Sequence, residues 1–108
     1  MVNSGILDVY MNGEFVGLWK RNERGIYSFT YVESWLSSEY ARPISLSLPL
    51  SKTSHTGESV TSFFDNLLSD NADILNRIRR RYNCRSISSF DLLQEVGRDC
   101  AGALQIVK

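Results

Sequence analysis

The sequence predicts an α+β fold: a mostly antiparallel β-sheet, opened by an N-terminal hairpin and packed with about three helices from the second half of the chain. Three observations predict it. Apolar residues alternate with period two over the first fifty positions and then recur at about 3.6. An Asn12-Gly13 pair interrupts the first alternating run where a tight hairpin turn would lie. Strands and helices come in blocks with a final strand, and no βαβ alternation occurs.

Each element has its own justification. Leu7, Val9 and Met11 alternate before Asn12-Gly13, and Phe15 and Val16 follow it, which predicts a hairpin over residues 6–19 with a type I′ turn. Residues 25–32 (GIYSFTYV) are rich in aromatic and β-branched side chains and read as a third strand. Residues 33–40 suit a short helical turn carrying Trp35 and Leu36. Residues 44–48 alternate apolar and Ser as a fourth strand between Pro43 and Pro49. Residues 51–57 (SKTSHTG) are a polar loop without period. Val60, Phe63, Phe64, Leu67 and Leu68 then follow the spacing of an amphipathic helix. Asp70 is the expected N-cap of a second helix running to Tyr82, with Ile74, Ile78 and Tyr82 as its apolar stripe. Ser88 is the expected cap of a third, with Phe90, Leu92, Leu93 and Val96 apolar and Gly97 as its stop. Residues 103–107 read as the last strand. No linker or repeat divides residues 1–108, so one domain is expected.

Composition narrows the function. At 108 residues, 43% apolar and 22% charged, the chain is ordinary globular material with little room for a substrate cleft. Nucleophilic catalysis needs a base held against the nucleophile, and His55, the one histidine, lies in the polar loop. Fifteen serines single out none. No GxGxxG, GxxxxGK[ST] or kinase catalytic motif occurs, and Phe90-Asp91-Leu92 lies inside a helical pattern. Cys84 and Cys100 form no CxxC pair and read as two reduced thiols, with one disulfide as the other possibility. No catalytic residue, cofactor or metal site is expected. With no signal-like start and no long apolar run, the expected location is cytoplasmic.

Two features stand above this background. Residues 76–85 (NRIRRRYNCR) hold Arg77, Arg79, Arg80, Arg81 and Arg85 with no anion, while the whole chain has zero net charge, so the remainder carries −5. On the helical pattern Arg77, Arg80 and Arg81 are expected opposite the Ile74–Ile78 stripe, facing solvent or a partner. Cations at a helix C-terminus complement its dipole, but four in five positions exceed that need. Zero net charge favours an acidic protein partner over nucleic acid. The second feature is FFDNLLSD, residues 63–70, whose broad apolar stripe either fills the core or offers Phe63 or Phe64 to a partner groove.

Three blocks carry a resemblance: YARPISLSLPL (40–50), FFDNLLSDN with the following RIRRRY (63–71 and 77–82), and SFDLLQEVGRDCAGAL (89–104). Together they are similar to the N-terminal subdomain of HipA-type Ser/Thr kinases, the toxins of bacterial toxin–antitoxin modules, over essentially the whole chain. In that family the ATP and catalytic motifs lie beyond this region, so the resemblance implies no catalytic residue here. A free-standing subdomain resembles the HipS-like proteins of HipBST modules. That likeness implies an antitoxin whose partners are a HipT-like Ser/Thr kinase toxin and a HipB-like helix-turn-helix DNA-binding protein, without nucleic acid, membrane or small-molecule substrate of its own. The alternative is the N-terminal part of a full-length kinase, inactive alone. The expected contact residues are Phe63, Phe64, Asp65 and Leu67, with Arg77, Arg80 and Arg81 steering the encounter.

Overall fold

The computed structural model describes residues 4–99 and 103–108. The expected α+β architecture is observed. Strands β1 (Gly5–Met11), β2 (Glu14–Arg21), β3 (Tyr27–Tyr31), β4 (His55–Thr56) and β5 (Leu104–Val107) form, among the described residues, a five-stranded sheet of order β4-β3-β2-β1-β5. Every neighbouring pair is antiparallel. Helices α1 (Glu33–Leu36), α2 (Glu58–Asp65), α3 (Ala72–Tyr82) and α4 (Ser89–Val96) follow, and a single 3₁₀ turn at Gly97–Asp99 leads toward β5.

The hairpin turn is as the sequence predicts. Asn12 and Gly13 take φ of 52° and 82°, the left-handed pair that matches the twist of the flanking strands. Beyond it the register slips once: Val9 faces Gly17 and Tyr10 faces Phe15, so Val16 is the extra residue of a bulge. Alternation then sends Leu7, Val9, Met11, Trp19, Phe29, Tyr31 and Ile106 to one face, where all are buried. Helices α2 and α4 cover that face. Phe64 of α2 stacks flat on Trp19, centroids 3.9 Å apart, and Phe90 of α4 meets the same indole edge-on at 4.8 Å. Such aromatic pairs add about 0.5–1.5 kcal/mol beyond the area they bury.

The structure corrects four expectations. Residues 44–48 are not a strand. The Leu48 amide donates to the Ser45 carbonyl to close a tight turn, Leu46 is 96% exposed, Leu48 is buried in the core and Ile44 packs against its edge. Tyr31 fixes both ends, accepting from the Ile44 amide and donating to the Leu48 carbonyl. The sheet instead takes its fourth strand from the supposedly featureless loop, where His55 and Thr56 pair with Phe29 and Ser28. Helix α2 ends at Asp65, and Leu67 and Leu68 lie in the turn after it, their amides bonded to carbonyls three residues back. Asn71, not Asp70, caps α3: its side chain accepts from the amides of Asp73 and Ile74. Ser88 caps α4 as expected, accepting from Asp91. Gly97 does end that helix, but at φ −65°, so its role is not a left-handed cap. A Cβ there would lie 2.5 Å from the Ile106 carbonyl oxygen, and glycine lets β5 pass. Among the described residues, no helix is long and apolar enough to cross a membrane.

Candidate functional site

Helix α2 lies over the sheet because Val60 and Phe64, four apart, fall on one side of it and are both fully buried. The adjacent Phe63 is rotated by about 100° to the edge of that side. It is half-buried and T-stacked on Phe64, with centroids 5.0 Å apart. The two phenylalanines thus divide the readings between them: Phe64 is core, enclosed by Trp19 and Phe29, and Phe63 keeps an accessible edge. Asp65 is exposed and accepts a hydrogen bond from the Ser89 hydroxyl at the start of α4, which ties the two helices together. Leu67 is half-buried in the turn beyond.

A cavity of about 470 Å³ opens between that turn, the start of α3 and the residues that lead into α4. Trp19 and Tyr27 contribute from the sheet, Leu68 and Leu75 are among its apolar walls, and Asp65 and Asp70 supply the charge. The Trp19 indole is 1% exposed, and its Nε1–H has no hydrogen-bond partner. Buried donors are nearly always paired, so this orphan marks the cavity as unusual.

Helix α3 is less covered than α2 and α4. None of its residues is buried, and Ile74 and Tyr82 are 40% and 45% exposed. The apolar stripe therefore does not sit in the core. With Val96 of α4 it lines an open groove of about 320 Å³ that Arg77 and Arg81 share. This corrects the helical-wheel expectation: seven residues bring Arg81 back within about 20° of Ile74, so Arg81 borders the stripe rather than opposing it, and the Arg81 guanidinium lies 5.8 Å from the Tyr82 ring centre. Arg80 is exposed. Five of the seven residues expected to make contact (Phe63, Asp65, Arg77, Arg80, Arg81) are thus exposed or at an accessible edge, Leu67 is half-covered, and Phe64 is enclosed. The α2 and α3 groups occupy successive elements with the acidic cavity between them.

Comparison with known families decides the relationship. Residues 7–107 match the family described as the HipA N-terminal domain. The chain belongs to that family. It is also 31% identical over 102 residues to "Putative kinase Y4mE" of Sinorhizobium fredii, covering 94% of this chain. The chain spans about a quarter of that relative's length, 24%.

Within this HipA N-terminal domain, the least expected polar group is an ion pair under the helices. The Arg21 guanidinium donates to Asp91 Oδ1 at 2.9 Å, both side chains being 7% exposed, and it lies 4.6 Å from the Phe90 ring centre. Ser86 donates to the other Asp91 oxygen at 2.6 Å. Burial works against the Asp91 charge, but the hydrogen bonds from Arg21 and Ser86 and the arginine's charge outweigh it, holding the carboxyl below its ordinary range. The pair is a pin between β2 and α4. Its signal in the sequence was present: Arg21 follows Trp19 by two and so shares its inward face. His55 sits on β4 with Nε2 2.7 Å from the Pro49 carbonyl oxygen. Cys84 is a buried free thiol, pushed up by burial and by nearby carboxylates; Cys100, the other half of the possible disulfide, lies outside the described residues. Among the described residues, no group of three His, Cys, Asp or Glu side chains is placed to hold a metal ion.

Proposed function

We propose that this HipA N-terminal domain acts by binding: it docks on a HipT-like Ser/Thr kinase toxin and restrains it, as a HipS-like antitoxin, in a complex that includes a HipB-like DNA-binding protein. The observation that carries this reading is the α2–α3 surface. An eleven-residue helix with no buried residue keeps an apolar stripe open between arginines, beside an aromatic edge at Phe63. Surfaces between domains of one chain resemble transient protein interfaces of ~600–1,500 Å², and a domain separated from its neighbour keeps such a surface available. Aromatic and arginine side chains are the usual energetic centres of interfaces. Phe64 supports the site from beneath and is not itself a contact.

The test is co-expression with a HipT-like Ser/Thr kinase, followed by size-exclusion of the pair and a growth assay. Phe63→Ala is expected to weaken the complex by about tenfold or more and to reduce growth rescue; a folded Phe63→Ala protein that still neutralises fully overturns the assignment of α2. The second reading, the N-terminal part of a full-length kinase, is favoured by the 24% share of the relative's length. An open reading frame continuing beyond Lys108 into kinase motifs would select it.

A further inference from the structure

The cavity beside Trp19 is more specific than a general docking surface. Its charged lining is Asp65 and Asp70, with no cation. Hydroxyls of Thr61 and Ser69 join them, and Leu68, Leu75 and Ile87 supply apolar wall. Trp19 lines the same space, 1% exposed, with a donor that nothing satisfies. Two carboxylates repel a phosphate or another carboxylate, and no third metal-ligating side chain joins them among the described residues. Two exposed carboxylates beside an apolar wall suit a long aliphatic stem with a cationic head.

We infer that this cavity receives an arginine side chain of a protein partner. The planar guanidinium carries five donors and serves both Asp65 and Asp70, while its stem lies along Leu68, Leu75 and Ile87. Asp65 keeps acceptor capacity for this, since Ser89 occupies one of its oxygens and a carboxylate has about four acceptor sites. A lysine presents a compact point charge that cannot span two carboxylates in the same planar way. The inference rests on the proposed function for the identity of the protein that carries the arginine; the chemistry of the cavity stands on the residues above.

The test uses the full chain, ¹⁵N-labelled, and follows its indole N–H signals by NMR. The probe is the blocked peptide acetyl-Gly-Arg-Gly-amide, with its neutral citrulline analogue as control. Trp35 is an internal reference, because its Nε1–H already donates to the Arg42 carbonyl at 3.0 Å. A saturable shift of the Trp19 signal, with Trp35 unmoved, is expected for the arginine peptide. The citrulline peptide, and the variants Asp65→Asn and Asp70→Asn, should each bind at least about tenfold more weakly. No saturable shift with the native chain overturns the inference, and so does an equal response to citrulline or to both variants. Kinase binding is read separately by size-exclusion, so a complex that forms while the peptide fails retires the cavity alone. Peptide binding without a complex upholds the cavity and retires the proposed partner.

Discussion

β2 turns Arg21 into the core two residues after Trp19, and the cost of burying a guanidinium is met by Asp91 and by the face of Phe90. Removing one member of such a pair costs about 3–5 kcal/mol, because the other charge stays buried without its counter-ion. Asp91→Ala is therefore expected to lower stability by that amount in urea unfolding, and Arg21→Met with Asp91→Leu together to recover most of it. The pH dependence has a definite sign. The folded-state Asp91 pKa is depressed, so its contribution is present above the unfolded value, about 3.9, and is lost as pH falls through the folded one. Asp91→Ala should show a shallower loss of stability in acid than the native chain; an unchanged acid limb would show that the pair is not the titrating element. Phe63 and Phe64 show how far single residues were legible. Helical spacing placed both near a core, but which of the two the sheet would cover depended on Trp19, 45 residues away.

Elements were legible where period and turn chemistry agreed, and missed where side-chain hydrogen bonds set the backbone. Residues 44–48 alternate like a strand, yet a hydroxyl on β3 holds both ends of a turn. The polar β4 carries no alternating signal because pairing, not burial, defines it. Asp70 and Asn71 are both good capping types, and sequence alone does not choose between neighbours. The structure does, and the choice is testable: Asn71→Ala should cost about 1 kcal/mol, while Asp70→Ala should stay within about 0.5 kcal/mol. Equal losses in thermal unfolding would mean that the cap is shared. The shift matters for the site, since it leaves the Asp70 carboxylate in the cavity instead of binding it to helix amides.

Across the whole molecule, zero net charge conceals a separation: arginines gather along α3, and two carboxylates gather in the adjacent cavity. A partner with the complementary pair of patches would be steered as well as held. Association with the kinase is then expected to slow by about tenfold or more between low and high salt, while a salt-independent on-rate in stopped-flow would discard steering. The topology has a consequence of another kind, in the order of synthesis. β1, β2 and β3 are contiguous in the chain, so they can pair once residue 31 has emerged from the ribosome. The other edge of β1 pairs with β5, and Asp8 must wait for Val107. While some seventy intervening residues are translated, β1 exposes a row of unpaired amides and carbonyls, the kind of edge on which nascent chains associate. Four residues at the far end of the sequence, Leu104–Val107, are what close it.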